Sequence, residues 1–187
     1  MKVILASASE RRQELLKRIV DDFEIRVSSF DEDVIPFNGK PHEYVMELAL
    51  GKANNIAEKC SDGVIIGCDT IVTLDNEVLG KPKSEKDAVE MLEKLSGRSH
   101  EVYSGIAVIQ KEKGEVLKDY CVTQVEFSEI SREEILEYVK SGDPMDKAGA
   151  YGIQGKAGVF VQKIEGDYYS VVGLPLNKLY KMLKSIK

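Results

Sequence analysis

The stretch VIIGCDTIV, residues 64–72, constrains this chain more than any other. It is apolar on either side of one carboxylate, Asp69, and reads as a buried strand. An unpaired charge in such a place is expensive, so Asp69 needs a partner. A lysine or arginine in a buried ion pair would satisfy it. So would a divalent cation or a role as general base, both familiar for a lone carboxylate at the carboxyl edge of an α/β sheet.

The flanking segments supply such a sheet. Residues 3–6 are a short apolar strand, and residues 10–20 follow with Leu15, Leu16, Ile19 and Val20 at helical spacing. Residues 23–27 alternate as a second strand, with Phe23, Ile25 and Val27 on one face, and run into Asp31-Glu32-Asp33. A long helix is expected over residues 41–60, with Pro41 in its first turn. Beyond residue 72, Asp75-Asn76 predicts a hairpin, and Ser84 caps a helix that runs to Leu95 with Asp87 at its third position. Residues 102–110 and 116–127 flank a KEKG turn as an antiparallel hairpin. Ser131 caps a helix through Lys140, with Glu133 and Glu134 in the first turn where the dipole favours acids. GDPMDKAGAYGIQGKAG, residues 142–158, is a glycine-rich loop of a length that is usually functional inside a compact domain. Residues 159–164 and 168–172 read as a closing hairpin, followed by a helix over 175–186. No linker or internal repeat divides the chain, so one domain over residues 1–187 is expected.

Several charges stand where helix and strand physics does not ask for them. LASASERRQELLKR, residues 5–18, puts Arg11 and Arg12 in a first helical turn, whose free N–H groups and dipole favour acids. Either an anion arrives there, or Ser9 caps the helix and both arginines point into water. Lys52 falls inside the apolar stripe of Val45, Leu48, Ala49, Ala53, Ile56 and Ala57, where it either snorkels to solvent or borders an anion pocket. Glu32 and its acidic neighbours offer the oxygen ligands that hard cations such as magnesium prefer, or form a solvated loop. Lys81 is held between Gly80 and Pro82, and Gln154 lies between Gly152 and Gly155, where backbone approaches a ligand closely; simple turn chemistry accounts for both as well. No Walker motif, G-x-S-x-G or H-E-x-x-H is present.

Composition narrows the partners. The net charge is −6, from 26 lysines and arginines dispersed among 32 acids, which disfavours a nucleic-acid polymer but not a small polyanion in a focused pocket. The absence of tryptophan argues further against a single-strand binder. Cys60, Cys68 and Cys121 have no C-x-x-C spacing and read as reduced thiols. The apolar start is too short for a signal peptide and nothing reaches transmembrane length, so a cytoplasmic protein without a membrane partner is expected.

Taken together, LASASERR, SFDED, GCDTIV, GKP, LSGRSHEVYSG, DKAGAYGIQG and VVGLPL resemble, in order and approximate spacing, the Maf family of nucleoside triphosphate pyrophosphatases. Glu10 departs from the proline usual in that family. The resemblance implies an α/β fold with a mixed twisted sheet, flanking helices and two lobes around a groove, akin to the inosine triphosphate pyrophosphatases. It implies a cytoplasmic, commonly homodimeric enzyme that uses a divalent metal cation, Mg2+ or Mn2+, to cut a nucleoside triphosphate into the monophosphate and pyrophosphate. AYGIQG with Arg11 and Thr70 is similar to the branch acting on dTTP and UTP. On that resemblance Asp69 is the catalytic carboxylate, Arg11, Thr70 and Gln154 take specificity positions and Glu32 is a pocket residue; the chemistry of Asp69 and Glu32 suits both to hold the divalent cation. Ser7, Arg12, Lys52 and Lys81 match other pocket positions. A pyrophosphatase of a methylated GTP and a non-catalytic nucleotide-binding regulator of cell division are the alternatives.

Overall fold

The computed structural model describes residues 2–186. Its elements run β1 (Val3–Leu5), α1 (Glu10–Leu16), β2 (Glu24–Ile25), α2 (Pro41–Ala57), β3 (Val64–Leu74), β4 (Glu77–Leu79) and α3 (Glu85–Leu95). They continue with β5 (Ser99–Gln110), β6 (Glu115–Phe127), α4 (Arg132–Lys140), β7 (Val161–Glu165), α5 (Tyr168–Val172) and α6 (Leu176–Ser185). One seven-stranded sheet carries the order β2-β1-β3-β5-β6-β7, with β4 also paired to β3. β1 runs parallel to β2 and β3, whereas the β3–β4, β3–β5, β5–β6 and β6–β7 pairs are antiparallel. The mixed sheet expected from the family resemblance is therefore present.

β3 is buried along nearly its whole length, as its sequence requires. β5 pairs with it from Val64 to Thr73. On its other edge β1 covers Val64–Ile66 and β4 covers Val72–Leu74, so neither strand pairs with residues 67–71 there. Asp69 and Thr70 lie in that gap, at the carboxyl end of β1, where open α/β sheets place their ligands. The apolar core divides at the same point. Val64, Ile66 and Cys68 pack with β1, α1 and α6, while Val72 and Leu74 pack with α3, α4 and the start of β5.

Helix α2 lies unusually close to the sheet. Its stripe of Val45, Leu48, Ala49, Ala53, Ile56 and Ala57 is buried as expected, and it meets the sheet at two glycines. A Cβ on Gly67 would sit 2.9 Å from both Cβ and N of Ala53, with the Ala49 carbonyl nearer still. A Cβ on Gly105 would lie 2.6 Å from the Val45 carbonyl carbon. Gly105 is the cross-strand partner of Asp69, so one of the two close approaches of the helix lies beside the buried carboxylate.

Local signals account for most boundaries. Ser84 and Ser131 cap α3 and α4, the latter with a full capping box to Glu134. The β3–β4 turn uses positive φ at Asp75 (50°) and Asn76 (64°), as a two-residue hairpin demands. Three expectations are corrected. The first helix ends at Leu16 rather than residue 20, because Arg18 and Ile19 bond back three residues in a tightened last turn. β2 holds only two residues, both exposed, and Val27 is exposed as well. Residues 168–172 are the helix α5 rather than a strand, since Asp167 Oδ1 accepts from the backbone N–H of Tyr169 and Ser170 and caps it. β7 pairs with β6 instead. No helix among the described residues is long and apolar enough to cross a membrane.

Candidate active site

The gap beside β3 opens into a groove of about 960 Å3. Ser7, Arg11, Arg12, Glu32, Lys52, Asp69, Thr70, Lys81 and Gln154 all line it, so every site residue expected from the sequence reaches one cleft. They come from six places: the β1–α1 turn and α1, the turn after β2, α2, β3, the loop after β4, and the glycine-rich loop.

Asp69 forms the floor, with only 7% of its surface exposed. Its Oδ1 accepts from Lys52 Nζ, and the same ammonium lies 2.9 Å from Glu32 Oε1. Lys52 therefore neither snorkels nor points at the groove alone; it bridges two carboxylates, with 15% of its side chain exposed. The ion pair anticipated for a buried aspartate is thus part of the arrangement. Burial pushes the Asp69 carboxyl above the ordinary carboxylate range, against the opposing pull of Lys52 and Arg12. Burial also works against the Lys52 ammonium, but Asp69 and Glu32 outweigh it and hold its pKa above the ordinary lysine value.

Arg12 and Arg11 part company. Arg12 Nε donates to the Gly173 carbonyl at 2.9 Å, Nη2 to Thr70 Oγ1 at 3.1 Å and Nη1 to Ser7 Oγ at 3.4 Å. Its guanidinium is thereby fixed with two of five N–H donors free for an anion. Arg11 extends to Asp146, its Nη1 3.6 Å from Oδ2, and remains partly exposed. Ser9 does cap α1, accepting from the Arg12 N–H at 3.5 Å. The helix has only seven residues, so the side chains, more than the dipole, would bring positive charge to the groove.

Glu32 does not end a strand, as the sequence suggested; it lies in a single 3-10 turn, Glu32–Val34, and is exposed. Lys81 is exposed at the groove and has no ion pair among the described residues. Gln154 is exposed in a turn of the glycine-rich segment, which is folded into 3-10 turns instead of an open loop. Lys147 braces that segment, donating to Asp143 Oδ1 at 3.1 Å and Asp146 Oδ1 at 2.7 Å. Sequence reasoning missed Phe30, Tyr44 and Tyr151 on the groove walls, and Ser104, which contacts Thr70. Ser104 opens the buried run of Ser104–Gln110 in β5, but with Ser99, His100, Glu101 and Tyr103 before it in the strand no sequence signal singles it out.

No group of three or more histidine, cysteine or acidic side chains suited to a metal occurs among the described residues. The two carboxylates of Asp69 and Glu32 nonetheless converge on a single cationic point, the Lys52 ammonium. Both carboxylates are of the hard oxygen type that magnesium shares with water and phosphate oxygens, and a divalent cation held between them would take the position that the Lys52 ammonium fills here.

The chain is 59% identical over 184 residues to a "dTTP/UTP pyrophosphatase" of Clostridium botulinum (strain Okra / Type B1), covering 97% of this chain and 95% of the relative. It is 60% identical over 183 residues to the protein of that name from Clostridium novyi (strain NT), covering 97% and 96%. The solved structure of the Staphylococcus aureus Ham1 protein shares the fold, with a TM-score of 0.57 at 15% identity over 100% of both chains. The family model described as Maf-like protein matches residues 2–186, and with relatives this similar over nearly the whole length, the chain belongs to the Maf family.

Proposed function

We propose that this protein hydrolyses nucleoside triphosphates, dTTP and UTP foremost, to the monophosphate and pyrophosphate by attack of water on the α-phosphorus. The observation that carries the reading is the buried Asp69 carboxylate at the floor of a groove whose walls hold Arg11, Arg12, Lys52 and Lys81. A polyphosphate is the ligand such a convergence of cations suits, and the names of the relatives support a pyrimidine triphosphate.

The residues divide the work by position. The two free N–H donors of Arg12 make charge-assisted bonds to phosphate oxygens, with Arg11 and Lys81 adding charge farther along. Charge that builds on pyrophosphate as it leaves meets donors already in place, which lowers the barrier without reorganisation. Asp69 orients the attacking water and takes its proton. Asp69 and Glu32 would hold a divalent cation, Mg2+ or Mn2+, which when bound would neutralise phosphate charge. Gln154 offers an amide donor and acceptor that match the imide edge of uracil or thymine. The cytoplasmic location and homodimer expected of the family belong to the same reading, and sedimentation of the purified protein checks the second.

The test is a titration of nucleoside triphosphates with magnesium or manganese, assayed for pyrophosphate. In oxygen-18 water the label should enter the monophosphate. Label in pyrophosphate, or release of free phosphate first, would place the attack on another phosphorus. Preference for a methylated GTP over dTTP would overturn the substrate assignment alone.

A further inference from the structure

Arg12 is held by more than its direct contacts. Thr70 Oγ1, which accepts from Arg12 Nη2, lies 2.8 Å from Ser104 Oγ, and Ser104 Oγ donates to the Ser170 carbonyl at 2.7 Å. A hydroxyl has a single proton. That of Ser104 goes to Ser170, so the proton between the two side chains is that of Thr70. The direction of the whole line follows: Arg12 N–H to Thr70, Thr70 O–H to Ser104, Ser104 O–H to the carbonyl of Ser170. Ser104 and Ser170 are fully buried, so no solvent replaces a lost link.

Both ends of the Arg12 guanidinium are thereby referred to one element. Ser170 lies in α5, and Gly173, whose carbonyl takes Arg12 Nε, is its C-terminal cap. Gly173 also has a φ of 129°, a backbone conformation that favours glycine. The Thr70 hydroxyl has committed its only donor inward and one acceptor site to Arg12. Its second lone pair remains available as an acceptor.

We propose that Thr70 and Ser104 are positioning residues for Arg12 and set the arm that meets the phosphates. This rests on the phosphate-binding reading given above and gives residue 70, which the family resemblance puts at a specificity position, a part in phosphate recognition as well. Loss of a link to a charged donor should weaken phosphate binding by about tenfold or more.

Inorganic tripolyphosphate, which has no base, separates the two roles when used as a competitive inhibitor of dTTP hydrolysis. Thr70→Val keeps the branched shape a strand favours and removes the hydroxyl; Ser104→Ala removes the second link; Thr70→Ser keeps the hydroxyl. The expected result is that Thr70→Val and Ser104→Ala each weaken inhibition by about tenfold and raise KM for dTTP, that Ser104→Ala raises KM for CTP by the same factor, and that Thr70→Ser stays near wild type. A Thr70→Val protein that alters the dTTP to CTP ratio while tripolyphosphate inhibits as before would overturn the proposal. Arg12→Gln, run alongside, distinguishes two failures. If it too leaves inhibition unchanged, the phosphate reading of the groove has failed; if it weakens inhibition and the other two do not, the positioning role has failed.

Discussion

Removing either partner of the Lys52–Asp69 pair should abolish most turnover, yet the two changes should differ sharply in stability. Lys52→Met leaves a carboxylate with 7% exposure and without its hydrogen-bonded cation; Arg12 remains in the vicinity but is tied to Gly173, Thr70 and Ser7. Breaking one side of a buried pair costs about 3–5 kcal/mol. The loss is also capped, because Asp69 can take up a proton: starting from an ordinary pKa of 3.8, neutralising it at pH 7 costs about 4 kcal/mol at roughly 1.4 kcal/mol per pH unit. Asp69→Asn removes the buried charge and leaves Lys52, which is partly exposed, paired with Glu32 at 2.9 Å. That change should cost about 1 kcal/mol or less, in the range of pairs near the surface. Urea unfolding at pH 7 is the direct measurement, with a difference of about 3 kcal/mol between the variants, or roughly 10 °C in melting temperature for a chain of this size. The Lys52→Met penalty should shrink as pH falls toward 5, since the proton that Asp69 needs becomes cheaper. An Asp69→Asn protein as unstable as Lys52→Met, or a Lys52→Met protein as stable as wild type, would refute the reasoning.

Gly105→Ala should destabilise by about 1–3 kcal/mol through overpacking and lower kcat as well, because the helix it displaces carries Lys52; unfolding and kinetics on one sample test both. Gln154→Ala should lower kcat/KM for dTTP by roughly tenfold and for CTP much less, and equal losses would assign pyrimidine choice elsewhere. His100 is buried with its pKa lowered to about 4, so below an ordinary value of 6.5 the unfolded chain binds a proton that the folded one refuses. Stability should then fall by about 1.4 kcal/mol per pH unit from pH 6.5 down to about 4 from this group alone, with no contribution above that window. His100→Gln, which cannot titrate but can still bond the Tyr151 hydroxyl, should show a flatter urea midpoint across that range.

What could be read from the sequence was local. Ser84, Ser131 and Asp75-Asn76 announce their caps and turn because the groups they satisfy lie within four residues. The buried stripe of α2 and the anomaly of Asp69 were legible because burial leaves a hydropathy pattern. Residues 168–172 misled, since YYSVV carries aromatic and branched residues suited to a strand, and the Asp167 cap and its packing overrode that preference. At the site, the residue types were visible but their pairing was not. Lys52 meets Asp69 only because α2 crosses β3, and Ser104 meets Thr70 across 34 residues and Ser170 across 66. No spacing rule spans such separations.

The two glycines under α2 also guard against a particular folding error. β3 is apolar on both faces, so hydropathy alone barely distinguishes it from a copy shifted by one residue, a slip that turns every side chain to the opposite face. Ile65, Gly67, Asp69 and Ile71 alternate toward α2, while Ile66, Cys68, Thr70 and Val72 alternate away. In a shifted strand Ile66 or Cys68 would take the place of Gly67, where even a methyl group collides with helix backbone. The misaligned chain would thus be unable to close its helix onto the sheet, and the same slip would turn the Asp69 carboxylate away from Lys52. Steric exclusion at Gly67 does the proofreading that hydrophobicity cannot, and it ties the correct fold and the competent site to one and the same alignment.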